Sequence, residues 1–316
     1  EVITTPNSFI ASTAVIVHIG AKPVFVDVLP DQNMNPDLLE NAITKETKAI
    51  MPVHLTGRIS EMSKILMIAN KYNIPVIEDA AHAFGASFPD GSKVGSCKYS
   101  NMTIFSFHPV KSIATGEGGA ITTNDKKIYE KLLRLRNHGL EKEKDRFQMK
   151  DNSLSNGSND PWYYEMQELG YHYRITDIQC ALGLSQLKKI EKFLSKRRQL
   201  AEKYDLAFNS LKNCEPIQKN MRKLSSNHLY VLKINFERLG KTRAVLMGEL
   251  KRAGITTQVH YIPVISHPYF KKKKYRDNNF PNSYNYYNSA LSIPLFYDLT
   301  DKQQSHVIDQ VKKLIG

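Results

Sequence analysis

Cysteine is scarce in this chain, with three in 316 residues. Cys97, Cys180 and Cys214 have no metal-ligand spacing and form no disulfide framework, so no metal is expected and a reduced, cytoplasmic setting is. No run approaches the ~18 consecutive apolar residues that a membrane span needs, and no signal peptide is present, so no membrane partner is expected. Internal repeats and low-complexity tracts are also missing. Acidic residues are outnumbered, 31 against 44 basic ones, and leave a formal net charge of +13. Such a surplus suits an anionic ligand, from nucleic acid to a nucleotide diphosphate, or is background charge that aids solubility. Nucleic acid is set aside because the lysines are spread along the chain and no basic recognition motif occurs. The four lysines at 271–274 read as a solvated loop. An initiating methionine is missing too. Glu1 opens a stretch, EVITTPNSF, that reads like the entry to a strand inside a domain, so preceding residues are expected.

What is present is ordinary for a soluble globular protein, with 41% apolar and 24% charged residues. The length allows a large and a small domain. Residues 5–14 read as polar and small. Strands are expected at 24–28, 49–55, 74–77, 102–107 and 119–123. Helices are expected from the Asn35-Pro36 cap to about 43, at 60–72 with Ile65, Ile68, Ala69 and Tyr72 on one face, and at 125–136. This alternation predicts a mostly parallel sheet covered on both sides. Residues 141–161 read as a loop. Thr176 caps a helix that the absence of proline lets run to about 210. From about 212 the pattern resets, with strands at 229–234 and 256–262, a helix at 241–252 and a Thr300/Gln303 capping box for the last helix. The expected division is a large domain over 1–210, ending in the long connecting helix, and a small α+β domain over 211–316.

The chemistry centres on residues 105–120, FSFHPVKSIATGEGGA. A buried strand ends near Phe107, Pro109 stops regular structure, and Lys111 precedes Gly116, Gly118 and Gly119. A lysine there suits an amine that attacks a carbonyl, because a low-dielectric site disfavours its charged form. A second stretch, IPVIEDAAHA at 74–83, places Asp79 and His82 just past another strand end, where parallel sheets bind ligands. Taken alone, Asp79 reads first as a strand-end carboxylate capping the next turn and His82 as structural. Lys111 on a later strand end favours a shared site.

These motifs resemble the DegT/DnrJ/EryC1/StrS family of sugar aminotransferases over nearly the whole chain, with the pseudaminic acid branch nearest. The resemblance implies the aspartate-aminotransferase-like, type I fold of pyridoxal 5′-phosphate (PLP) enzymes and a homodimer with shared sites. It implies that Lys111 binds PLP covalently and that Asp79 partners the pyridinium nitrogen, keeping PLP an electron sink. His82 would touch the same ring, Ser106 would hydrogen-bond the cofactor, and Phe9, from the TTPNSF stretch, would pack on its face. His172, in LGYHYRITD at 169–177, stands where the family has an asparagine that reaches the partner subunit's cofactor or substrate, and Arg174 matches the family. Gln258, Val259, His260 and Tyr261, with the stretch SSNHLY at 225–230, resemble the small-domain edge that closes over a nucleotide sugar, where Asn227 and His228 would support structure. His54 to Gly57 would lie in the same layer. The turn that holds the PLP phosphate would precede Glu1, so the chain as given is expected to bind PLP weakly. The implied reaction moves an amino group from glutamate to C4 of a UDP-linked 4-keto-6-deoxy-N-acetylhexosamine, or of a perosamine, bacillosamine or 4-amino-arabinose type sugar. Two alternatives stand beside it. One is a sugar 3-dehydratase, which Lys111 opposes because that branch carries histidine there. The other is a non-enzymatic sugar-nucleotide-binding or regulatory protein on the same fold.

Overall fold

The computed structural model describes residues 1–273 and 279–316. Strand β1 (Val2–Thr4) is buried throughout. Helix α1 (Ile10–His18) links it to β2 (Pro23–Phe25), and β1 pairs in parallel with both β2 and β3 (Ala49–Ile50). Between β2 and β3, Asn35 caps a short helical stretch through its side chain, as its Asn-Pro step predicts. Helix α2 (Met62–Lys71) buries Met62, Ile65 and Ala69 and returns the chain to β4 (Ile77–Asp79). Strand β5 (Met102–Ser106) runs parallel to β4, and β6 (Gly119–Thr122) runs antiparallel to β5. Parallel bridges Ile50–Val76 and Val53–Asp79 join the two halves into the order β2-β1-β3-β4-β5-β6. One core, including Ile3, Ile50, Ile65, Val76, Phe88 and Phe105, fills the space beside this sheet. Because β1, β3, β4 and β5 are parallel, the segments after Thr4, Ile50, Asp79 and Ser106 all emerge at one edge, the edge that binds ligands in such sheets.

Helix α1 begins within the stretch at 5–14 that reads as polar and small, where the sequence assigns no element. It buries Ser12, Thr13 and Ile16 while leaving Ile10 and Val15 exposed, so it has no apolar stripe for periodicity to reveal. Helix α3 (Lys126–Arg136) starts where expected, with the Asp125 carboxylate accepting from the amides of Lys127 and Ile128. The polar stretch that follows, expected as a loop, holds two short 3-10 turns, Lys144–Arg146 and Lys150–Ser153, and a small hairpin that pairs Leu154–Ser155 with Ser158–Asn159. Short antiparallel pairing of Leu140–Glu141 with Glu165–Met166, and Arg134 bridging Glu141 and Glu168, tie its ends together.

The long helix expected from Thr176 to 210 is instead two. Helix α4 (Asp177–Leu187) opens with a Thr176/Gln179 capping box, and α5 (Ile190–Phe208) follows after a break at Lys188 and Lys189. The break is a tightened last turn, in which the Lys189 amide donates to the Gln186 carbonyl three residues back. Gln186 itself is tied by its side chain to both backbone groups of Ala114. No residue of α4 is buried, although the helix is apolar, and Ile178 is 84% exposed.

Helix α5 packs Leu200, Ala201, Tyr204 and Phe208 into a second core. That core is completed by the antiparallel strands β7 (Cys214–Pro216) and β8 (Tyr230–Ile234), helix α6 (Arg243–Arg252), strand β9 (Ala290–Ile293), which follows helix α7 (Pro281–Ser289), and helix α8 (Asp301–Ile315), which carries the expected Thr300/Gln303 capping box. The strand expected at 256–262 reduces to one bridge, Gln258–Ser292. The chain leaves that pairing because the Tyr286 hydroxyl takes the His260 carbonyl and Pro263 has no N–H to offer a ladder. Of the four lysines at 271–274, Lys271, Lys272 and Lys273 are exposed, Lys271 ending a short helix at Pro268–Lys271, and Lys274 lies outside the described residues.

Candidate active site

The strand ends gather the site. Asp79 closes β4, and both of its carboxylate oxygens accept: Oδ1 from the Ala81 amide at 3.1 Å, Oδ2 from the Ser12 hydroxyl at 2.5 Å. Ser12 comes from α1, so the helix that sequence periodicity does not reveal supplies Asp79's partner. Lys111 follows β5 through a turn in which its amide donates to the His108 carbonyl. Burial pulls the Lys111 amine below its ordinary pKa, and the Asp79 carboxylate partly offsets that pull. An amine shifted this way is more often unprotonated, the state a nucleophile needs. Ser106 is half-buried at the end of β5, and its hydroxyl accepts from the His108 amide at 3.3 Å, a local turn contact.

His82 is buried beside this pair. Its Nδ1 accepts from the Thr56 amide at 3.3 Å, and its Nε2 lies 3.1 Å from the Tyr261 hydroxyl. Two residues from the far core complete the cluster. His228 places its ring 4.5 Å from that of His82, and His260 sits 2.8 Å from the Ser292 hydroxyl through Nδ1. Burial, followed by the Lys111 charge and that of His260, holds His82 well below the usual imidazole range. His228 is held down in the same way by burial, then by His82 and Lys111. Burial and Lys111 bring His260 to about 4. The cluster is therefore neutral rings facing one amine and one carboxylate. Phe9 caps it with a ring 54% exposed, 5.7 Å from the ring of Tyr261.

A layer beneath fixes these positions. Glu78, adjacent to Asp79 but facing inward, is completely buried. Burial alone would raise its pKa, but His54 Nε2 at 2.8 Å, Ser100 and Thr103 more than offset this and hold it below the carboxylate range. The His54 amide donates to the Asp79 carbonyl at 3.0 Å, and the turn Leu55–Gly57 then presents Thr56 to His82. Thr56 has φ 60°, in the left-handed region that β-branched residues avoid. Gly57, at φ +95°, has no room for a side chain, since a Cβ would sit 2.8 Å from the His82 carbonyl and closer still to Ser226 Oγ.

Not every expected residue joins this cluster. His172 and Arg174 lie on the exposed segment after Gly170, where Arg174 Nη2 is 2.7 Å from His172 Nε2 and His172 forms a backbone bridge with Asn137. Gln258 is exposed and folds its side-chain oxygen back onto the Val259 amide; Val259 is half-buried. His228, expected to support structure, stands ring to ring with His82. Ser12 and Tyr286 carry no motif of their own, whereas Thr56 and Glu78 lie inside stretches the sequence singles out without a role for either residue. For Glu78 the available signal is a carboxylate that follows the apolar run at 74–77 one position before Asp79, so that the pleat turns it to the opposite face of the strand.

The donor set suits PLP. Lys111 offers an amine below its ordinary pKa, Asp79 an acceptor-only carboxylate for a ring nitrogen, and Phe9 and His82 offer flat surfaces. Comparison with known proteins agrees. Residues 1–312 match the model of the DegT/DnrJ/EryC1/StrS aminotransferase family, and the chain belongs to that family. A spore coat polysaccharide biosynthesis protein, SpsC of Bacillus subtilis, is 38% identical over all of this chain and 79% of its own length. The UDP-4-amino-4,6-dideoxy-N-acetyl-beta-L-altrosamine transaminase of Campylobacter jejuni is 36% identical over 99% of this chain and 79% of its own. The structure of PseC from Helicobacter pylori, an aminotransferase of pseudaminic acid biosynthesis, superposes with a TM-score of 0.90 at 30% identity, covering 99% of this chain and 79% of that one. Related chains solved in PLP and PMP forms share the same fold. The protein is a PLP-dependent aminotransferase with the aspartate-aminotransferase-like, type I fold. Among the described residues, no helix is long and apolar enough to cross a membrane.

Proposed function

We propose that this enzyme transfers an amino group from glutamate to C4 of a UDP-linked 4-keto-6-deoxy-N-acetylhexosamine, a reaction of the pseudaminic acid type. The observation that carries the reading is the pairing of Lys111 with Asp79 at one sheet edge, with the amine below its ordinary pKa. Bound PLP supplies the electron sink that makes a proton on the donor's Cα acidic. Lys111 is the group that holds the cofactor, and once freed by the incoming donor its amine takes the Cα proton and later returns one to the product side. Asp79 keeps the facing ring nitrogen protonated, with Ser12 and the Ala81 amide fixing its oxygens. His82 and Phe9 hold the ring from its faces and Ser106 lies within the same strand-end layer. His260 and Tyr261, with Gln258 and Val259, close the substrate side. The surplus of 13 positive charges favours approach of a diphosphate-bearing substrate.

The working unit in this reading is a homodimer in the cytoplasm, each subunit built of domains 1–210 and 211–316. Support comes from the exposed apolar side chains Ile178, Leu182, Leu184 and Leu187 of α4, with the exposed Tyr171 and Tyr173 just before it. His172 and Arg174, on the same exposed segment as the two tyrosines, act on the partner's site. The test is spectroscopic. Glutamate should bleach the visible absorbance of the holoenzyme and the UDP-linked keto sugar should restore it. A holoenzyme whose spectrum glutamate leaves unchanged sinks the donor assignment, and one that the sugar cannot restore sinks the acceptor.

A further inference from the structure

We infer that Tyr261 donates a hydrogen bond to a sugar oxygen of the bound substrate and that His82 fixes the direction of that hydroxyl. The inference rests on the proposed sugar substrate for its ligand, but its polarity comes from the protein alone. The Thr56 amide donates to His82 Nδ1. A ring nitrogen that accepts from an N–H carries no hydrogen of its own, so in the neutral ring the hydrogen sits on Nε2. Nε2 faces the Tyr261 hydroxyl at 3.1 Å, so Nε2–H donates and the phenol oxygen accepts. A phenol has one hydrogen. With its oxygen occupied by His82, that hydrogen is directed elsewhere, and among the described residues Tyr261 Oη has no other hydrogen-bond partner.

The surroundings say where the hydrogen points. The Tyr261 ring lies between His82 and the half-exposed Phe9, and its hydroxyl feels the Asp79 carboxylate. It therefore stands on the Asp79 side of the cluster, beside the Phe9 ring that is half open to solvent. The donor is also pre-set rather than adaptable. Thr56 is held at positive φ in a turn anchored by His54, whose Nδ1 accepts from the Ser60 amide at 3.1 Å and whose Nε2 meets Glu78. The His82 backbone is pinned by Ser226, which donates to its carbonyl at 2.5 Å. A fixed donor at this half-buried position selects a ligand with an oxygen at that point, because an analogue without one leaves the hydroxyl unpaired.

Two measurements decide it. In holoenzyme labelled with ¹⁵N-histidine, with His82→Gln used for assignment, long-range ¹H–¹⁵N spectra near neutral pH should show His82 as a neutral ring protonated on Nε2. An Nδ1–H tautomer or an imidazolium overturns the polarity. In half-reactions, Tyr261→Phe should lower kcat/KM for the keto sugar about tenfold, more than it lowers that for glutamate. An equal loss in both overturns the sugar contact. His82→Gln, whose carbonyl can accept from Thr56 and whose amide can donate to Tyr261, should keep more of the sugar half-reaction than His82→Leu, and parity between the two counts against the relay. A wild-type enzyme inert toward glutamate would reject the proposed reaction alone, since the tautomer measurement stands without it.

Discussion

Acid should destabilise this protein more steeply than its carboxylates alone require, and three histidines set the size of the effect. Unfolded imidazoles titrate near ~6.5. In the native state His260 is depressed to about 4 by burial and by Lys111, and His82 and His228 are held well below their usual range by burial first. Between those limits the unfolded chain binds protons that the native chain refuses. Stability therefore rises with pH, is fully present above about 6.5, and is lost as pH falls toward 4. At ~1.36 kcal/mol per pH unit, moving to pH 5 costs about 2 kcal/mol for His260, trimmed by its partial exposure to solvent. His82 and His228 carry the same sign, and the unfolded state caps each of them at the same ~2 kcal/mol at that pH. Even one such term is a sizeable part of the ~5–15 kcal/mol of a typical native protein. Urea denaturation of the apoprotein at fixed protein concentration, at pH 7.5 and 5.0, measures it. His228→Phe removes one titrating ring, so its loss on acidification should be smaller than that of the wild type, by at most ~2 kcal/mol, whatever constant packing cost the larger ring adds. Equal losses in the two proteins would show that native His228 takes up a proton, and would refute the argument.

Other outcomes follow from the site. Borohydride treatment of holoenzyme followed by peptide mapping should fix the cofactor on Lys111, and label on another lysine removes it from that role. Asp79→Asn should fold and bind cofactor while losing on the order of a hundredfold or more in turnover; near-normal rates in single-turnover assays would reject its part. Gly57→Ala places a methyl against the His82 carbonyl at a φ of +95°, and should cost about 3 kcal/mol in chemical denaturation, with an unchanged midpoint showing that the turn can open. Mixing inactive Lys111→Ala and His172→Ala subunits should restore part of the activity through one intact site per hybrid dimer, and no recovery in verified hybrids would place His172 outside the partner's site.

Much of the large-domain architecture is legible in the sequence because its strands are short apolar runs that end in polar residues with distinct chemistry. β4 ends on Asp79 and β5 leads into Lys111, so the two groups that define the chemistry can be read off as strand ends. α1 escapes notice because it buries serine and threonine and exposes isoleucine and valine, the reverse of an amphipathic helix. The break between α4 and α5 escapes because a tightened turn needs neither proline nor glycine. The irregular path at 258–263 is decided by a tyrosine 26 residues away in sequence, Tyr286, which competes for the His260 carbonyl. The contact of His228 with His82 is likewise a product of packing between distant segments, which no local pattern encodes.

The cluster around His82 is stitched from segments far apart in the chain. Its contact with Ser226 spans 144 residues and that with Tyr261 spans 179. Each closes a long loop, and such closures come late in folding because their entropy must be met before any contact rewards them. The two cores, each formed largely from nearer segments, can be in place before this seam closes. On refolding from denaturant, far-ultraviolet circular dichroism should therefore recover before glutamate-dependent bleaching does, with PLP present throughout. Simultaneous recovery would mean that the seam forms along with the cores rather than after them.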